Sequence, residues 1–193
     1  MLIKINSKVK LIFIFIIAII SVIILKETYK LFINDAYPIK YQSLVEKYSK
    51  EYEVDKSLIY SIIRTESHFN KNAKSYADAR GLMQLTPETF EWLQTKVPED
   101  EAYDTEDLYD EEINIKYGTK FLQLLIEEFD DYKTVACAYH AGRGNVNSWL
   151  SDESLNDGAG KLKYIPIEDT RIYADRVIST IFIYDQILKE REN

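Results

Sequence analysis

The sequence predicts a mainly α-helical protein: one globular helical domain behind an N-terminal transmembrane helix, with at most a small β-hairpin. Three observations carry this. Apolar residues recur at helical spacing along nearly all of the chain from Ile39 onward. Glycine and proline are scarce, 6 and 4 in 193 residues, too few for the many tight turns of an all-β fold. Residues 11–25 are apolar except for Ser21.

The first ten residues form a basic tail, with Lys4, Lys8, Lys10 and no acid. The apolar run that follows, 11–25, would rise only about 22 Å as a helix, short of a ~30 Å hydrocarbon core. Val9 and snorkelling lysines extend its reach. A signal-peptide core has a similar length. No small-x-small cleavage pattern follows, however; the run leaves through Val22-Ile23-Ile24-Leu25-Lys26, which favours an uncleaved, single-pass anchor. The lysine flank places the N-terminus in the cytoplasm and everything after Lys26 outside the cell membrane. Residues 26–38 read as a short stalk ending at Pro38, and 39–193 as the folded domain.

Composition excludes several functions. With 46% hydrophobic and 29% charged residues, the chain is globular rather than disordered. Its net charge of −8 and lack of a basic patch exclude nucleic acid as a partner. Cys137 is the single cysteine, so no intramolecular disulfide forms, and its neighbours Val135, Ala136 and Ala138 mark it as a small core residue. Two histidines, His68 and His140, are too few for a zinc site. No metal and no cofactor is expected, and no protein partner is specified.

The elements follow in order. A helix over about 39–52 carries Leu44, Val45 and Tyr48. A second begins after Asp55, a suitable N-cap, and carries Leu58, Ile59, Ile62 and Ile63 on one stripe. Residues 70–84 are short, polar and irregular, and hold the only segment suited to a hairpin. Thr86-Pro87 reads as an N-cap followed by proline at the first helical position, opening a helix with Phe90, Trp92 and Leu93. The acidic stretch 97–112 is a solvated loop with a short helical turn. Residues 113–129 are strongly periodic, with Ile113, Tyr117, Phe121, Leu124, Leu125 and Phe129 facing inward. Helical pieces follow at 134–140 and 143–150, then a loop over 151–164. The last helix, about 169–190, turns Ile172, Tyr173, Val177, Ile178, Ile181, Tyr184 and Leu188 inward.

Glu66 breaks this pattern. It lies four residues after Ile62 and three after Ile63, so it continues their apolar stripe instead of facing water. Glutamate is rarely buried without a partner or a purpose. An ion pair or a snorkelling side chain is the ordinary outcome; a carboxyl group kept protonated for acid catalysis is the other. Its place near the C-terminal, negative end of its helix favours the protonated form.

Four motifs accompany it in order: Glu66-Ser67-His68-Phe69-Asn70; Ser75-Tyr76-Ala77-Asp78-Ala79-Arg80-Gly81-Leu82-Met83-Gln84; Ala138-Tyr139-His140-Ala141-Gly142; and Asp169-Thr170-Arg171-Ile172-Tyr173. Together they resemble the soluble lytic transglycosylase-like family of peptidoglycan-cleaving enzymes, relatives of goose-type lysozyme, over about residues 40–190. The resemblance implies a lysozyme-like helical domain with a glycan-binding groove. It implies that Glu66 is the single catalytic acid, that Ser75, Met83 and Gln84 line the groove, that Tyr139 is the tyrosine of the third motif, and that Tyr173 helps to hold the glutamate. Two positions depart from the pattern. His140 stands where the family usually has Asn; it keeps hydrogen-bonding capacity for sugar contact and brings a titratable charge. Asp169 stands where the family usually has Glu, with Glu168 beside it.

The activity so implied is cleavage of the MurNAc–GlcNAc β-1,4 bond of peptidoglycan with formation of 1,6-anhydro-MurNAc ends. Most glycosidases use two carboxylates. The motifs supply no second one at a suitable place, Asp78 in its loop being the nearest, and a solitary Glu66 suits the anhydro-forming route. A goose-type lysozyme-like hydrolase on the same fold, or a non-catalytic glycan-binding module, are the alternatives; a buried acid argues against the last.

Overall fold

The computed structural model describes residues 7–97 and 102–192, in two units that meet at Ile39 and Lys40. The acidic segment read as a loop therefore lies partly, at 98–101, outside the described residues. The N-terminal unit is one helix, α1 (Ser7–Ala36). Its apolar side chains, Leu11 to Leu25, are all exposed. Residues 26–36, read from sequence as stalk, continue the same helix. The stretch Lys10–Ala36 is thus 27 residues long and apolar enough to cross a membrane. At 1.5 Å per residue its length is about 40 Å, ample for a ~30 Å core.

The second unit is helical throughout. Its helices are α2 (Gln42–Tyr52), α3 (Lys56–Ser67), α4 (Pro87–Gln94), α5 (Glu111–Glu128), α6 (Tyr132–Ala141), α7 (Arg143–Leu150) and α8 (Glu168–Glu192). A 3-10 turn spans Thr105–Tyr109. Among the described residues there is no strand. The segment suited to a hairpin holds only isolated antiparallel bridges, Lys74 with Arg80 and Arg80 with Leu85.

α3 is the central helix. Leu58, Ile59, Ile62 and Ile63 are wholly buried, each adding about 1.5–3 kcal/mol by leaving water. α8 packs along α3 and α6, while α5 is held by α2, α4 and α6. Aromatic rings tie these contacts: Tyr60 of α3 stacks on Tyr184 of α8, and Phe90 of α4 meets Tyr117 of α5 edge-on. Cys137 is fully buried in α6. Thr86 caps α4 by accepting from the Thr89 N–H, with Pro87 behind it.

Three expectations are corrected by the packing. Asp55 occupies the N-cap of α3 but makes no capping bond; its carboxylate instead accepts from the Tyr132 hydroxyl on α6. On α8 the buried stripe is Tyr173, Ala174, Val177, Thr180, Ile181, Tyr184 and Ile187, whereas Ile172 and Ile178 are exposed and Leu188 is half-buried. The partner surface, not hydrophobicity alone, selected the stripe. On α5, Asn114, Gly118 and Leu122 are buried in place of Ile113 and Leu124, which are half-buried. On α2, Val45, Tyr48 and Tyr52 are buried and Leu44 is half-buried.

Candidate active site

Glu66 lies in the last turn of α3, which stops at once afterwards. His68, the C-cap, and Phe69 both adopt left-handed backbone, φ 50° and 63°. The chain thereby reverses and runs into the loop 70–85. Ser67 fastens that loop to the helix end, its hydroxyl donating to the Leu82 carbonyl at 2.7 Å. Asn114 of α5 fastens the other side. Its Oδ1 accepts from the Met83 N–H at 2.7 Å, and its Nδ2 donates to the carbonyls of Arg80 and Leu108 at 3.0 and 2.8 Å. Arg80, itself 7% exposed, is held by Asp78, Glu106 and the Thr105 carbonyl. These are bonds a loop of this kind requires, since its buried backbone groups have no helix or sheet to satisfy them.

The Tyr173 hydroxyl, on the first turns of α8, donates to Glu66 Oε1 at 2.6 Å. Oε2 has no hydrogen-bond partner among the described residues. Glu66 is half-buried as a residue, but its carboxyl group is closed in by protein. Burial pushes its pKa up from 4.5 to about 7, and the Tyr173 bond pulls only partly against that. No charged side chain contributes. At neutral pH the group is therefore divided between acid and carboxylate, which is what proton transfer in both directions needs. Asp78, the nearest second carboxylate in sequence, is tied to Arg80 and Lys74 and held down at about 2; it is no proton donor at neutral pH.

The other sequence-selected residues fall into two groups. Tyr173 bonds Glu66, Tyr139 feels its charge, and His140 and Met83 join them through those two rings. The Tyr139 hydroxyl donates to the Met83 carbonyl at 2.7 Å, and both phenols are raised far above their ordinary pKa by burial, with the Glu66 charge adding to it. They remain donors at any physiological pH. The His140 ring stacks on Tyr173. Met83 is wholly buried, its side chain pressed on Gly118, where an added Cβ would meet Met83 Sδ at 2.3 Å. Ser75 and Gln84 serve the loop. Ser75 Oγ accepts from the Ala79 N–H, and the Gln84 amide donates to the carbonyls of Ala73 and Gly81.

Asn114 and Arg80 carry the site's framework and had not been selected as functional. For Asn114 a signal existed: it stands three and four residues before Tyr117 and Gly118, a polar residue on an apolar stripe like Glu66 itself. A shallow surface depression lined by Glu153, Asn156, Asp157, Gly158 and Lys163 shares no residue with this constellation.

Fold and site together define a helical domain with one buried carboxyl group raised to about 7 and bonded to a tyrosine hydroxyl. The chain belongs to the transglycosylase SLT domain family, whose model matches residues 43–159. Tyr173 lies beyond that span and is brought to Glu66 by α8. The chain is 31% identical over 150 residues to the soluble lytic murein transglycosylase of Escherichia coli K12, covering 76% of this chain and 23% of that protein. It is 32% identical over 159 residues to the membrane-bound lytic murein transglycosylase C of Actinobacillus succinogenes, covering 79% of this chain and 38% of that one. Among solved structures, the 70 kDa soluble lytic transglycosylase of Escherichia coli superposes with a TM-score of 0.74 at 29% identity, over 82% of this chain and 26% of that one. An inactive Glu-to-Gln mutant of the lytic transglycosylase Slt of Pseudomonas aeruginosa gives 0.71 at 30% identity, over 79% and 25%. The chain thus spans about a quarter of the length of these soluble relatives.

Proposed function

We propose that this protein is a peptidoglycan lytic transglycosylase that cleaves the MurNAc–GlcNAc β-1,4 bond and leaves 1,6-anhydro-MurNAc ends. The observation that carries this is Glu66: a solitary carboxyl group, raised to about 7 by burial and oriented by the Tyr173 hydroxyl. Protonated Glu66 gives its proton to the glycosidic oxygen as the C1–O bond breaks. The substrate's N-acetyl group assists that departure. Glu66, now a carboxylate, takes the proton from the C6 hydroxyl of the same MurNAc as that oxygen closes on C1. The proton returns to Glu66 and no water is consumed. With Oε1 engaged by Tyr173, Oε2 is the oxygen that faces the sugar.

Tyr139 and His140 stand beside the acid and supply contacts to the glycan, while Met83, through its carbonyl, fixes Tyr139. Ser75 and Gln84 shape the groove's loop. We place the anchor at 11–25 within α1, with a basic cytoplasmic tail at 1–10, a connecting segment at 26–38 and the catalytic domain at 39–193 outside the cell membrane. The apolar, exposed surface of α1 and the relatives named membrane-bound support that arrangement.

The test is digestion of purified peptidoglycan followed by mass spectrometry of the muropeptides. Anhydro termini, one water lighter than reducing termini, are expected, and Glu66→Gln abolishes their release. Reducing termini would make the protein a hydrolase. Undiminished cleavage by Glu66→Gln would remove Glu66 from the mechanism. The inactivity of the Pseudomonas aeruginosa Glu-to-Gln mutant points the same way for a relative.

A further inference from the structure

We propose that His140 is a pH-sensing positioning residue for Glu66, acting through Tyr173. The proposal rests on the reading of Glu66 as the catalytic acid. The His140 imidazole lies over the Tyr173 phenol with ring centroids 4.5 Å apart and planes 30° apart. That phenol donates to Glu66 Oε1 at 2.6 Å. His140 Nδ1 meets Thr170 Oγ1 at 3.1 Å, and Thr170 is 1% exposed on α8. The imidazole is therefore fixed by its face and by its edge, while His140 as a residue stays open to solvent. Protons can reach the ring without any rearrangement.

The two charge states act differently on Tyr173. A neutral imidazole is a flat plate that holds the phenol in the orientation aimed at Glu66. An imidazolium over the same ring is a cation on a π face. It withdraws density from the phenol, makes the hydroxyl a stronger donor, and adds positive field beside Glu66. Both effects stabilise the Glu66 carboxylate and so make it a weaker base for the C6 hydroxyl proton that it must take in the second step.

The groups that bear on His140 come from three helices. α8 contributes Tyr173 and Asp169, whose charge favours the imidazolium. α3 contributes Glu66 behind Tyr173. On α7, Arg143 is engaged elsewhere, by Glu128 and by the Trp92 ring. Burial outweighs Asp169 and holds His140 below its ordinary pKa. The order of titration follows. As pH falls, Glu66 gains its proton near 7; His140 gains one only at lower pH, and then makes the Glu66 carboxylate a weaker base for the C6 hydroxyl proton. The site works in a window bounded above by Glu66 and below by His140. The asparagine usual at this position in the family has neither an aromatic ring nor a titration in this range.

The experiment measures kcat and KM of the full-length chain in detergent micelles on isolated peptidoglycan, from about pH 5 to about pH 8.5. Wild type, His140→Asn and His140→Phe are compared. The wild-type kcat should be bell-shaped, falling about fivefold toward the acidic end. Both variants lose the acidic limb and keep the alkaline one. His140→Phe, which retains a ring over Tyr173, keeps more kcat than His140→Asn. A purely structural role would lower the rate equally at every pH. An acidic limb that persists in both variants, or is missing from the wild type, overturns the proposal. A wild-type chain inactive at every pH would sink the reading of Glu66 instead. The His140 imidazole, titrated by NMR in the wild type and in Tyr173→Leu, then decides: a lower pKa in the variant supports the stack's role and equal values overturn it.

Discussion

Glu66→Gln is expected to stabilise the domain above pH 8 and to leave its stability nearly unchanged at about pH 4. In the unfolded chain Glu66 titrates at its ordinary 4.5, in the folded protein at about 7. The folded state therefore binds this proton more tightly. Its favourable contribution is complete below the unfolded value and is lost as pH rises through the folded one. Each unit corresponds to about 1.4 kcal/mol, so a rise from 4.5 to about 7 amounts to roughly 3 kcal/mol. The Glu66 residue is only half-buried, and screening through its exposed part leaves roughly 2 kcal/mol. Gln keeps an oxygen that can accept from Tyr173 and carries no charge to bury. For a domain of this size the gain is about 4–8 °C in Tm at high pH. The assay is a pair of thermal unfolding curves, wild type and variant, at each of the two pH values. A gain of equal size at both, or a loss at high pH, would refute the idea that burial holds Glu66 against its own charge.

Three further outcomes follow from the same geometry. Tyr173→Phe removes a donor that lowers the Glu66 pKa, so the alkaline limb of the pH–rate profile should move up by about one unit; kcat should fall about tenfold as the carboxyl group loses its orientation, and an unmoved limb would deny the bond its role. Asn114→Ala leaves the Met83 N–H and the Leu108 carbonyl without their side-chain partner, while the Arg80 carbonyl keeps the Leu85 N–H; chemical denaturation should register a loss of about 3 kcal/mol. Gly118→Ala places a methyl 2.3 Å from Met83 Sδ and 2.9 Å from Met83 Cβ. Because Met83 Cβ cannot rotate away, a loss of about 1–3 kcal/mol is expected in the same assay.

The sequence by itself determined the helical class, the apolar N-terminal segment and the odd position of Glu66. Each of these is a local or periodic property. Helical spacing is written in a dozen consecutive residues, the Thr86-Pro87 cap in two, and an acid on an apolar stripe is visible from its neighbours at three and four residues. The four motifs then pointed to Tyr173, which bonds Glu66, to His140, which stacks on Tyr173, and to Tyr139 and Met83, which bond each other.

Tertiary structure decided what no local pattern contains. Which face of α8 is buried depended on α3 and α6, so Ile172 and Ile178 went to solvent while Ala174 and Thr180 went inside. Asp55 gave its carboxylate to Tyr132, 77 residues away, instead of capping its own helix. Asn114 became the clamp of the 70–85 loop because the Met83 N–H and the carbonyls of Arg80 and Leu108 meet at its side chain. The state of Glu66 was decided in the same way. Its pKa depends on how completely α3, α6, α8 and the loop exclude water from one carboxyl group, and on a Tyr173 hydroxyl 107 residues distant in the chain. Desolvation and a single oriented bond are properties of the packed surroundings, and they turn an unusual glutamate into an acid poised near neutral pH.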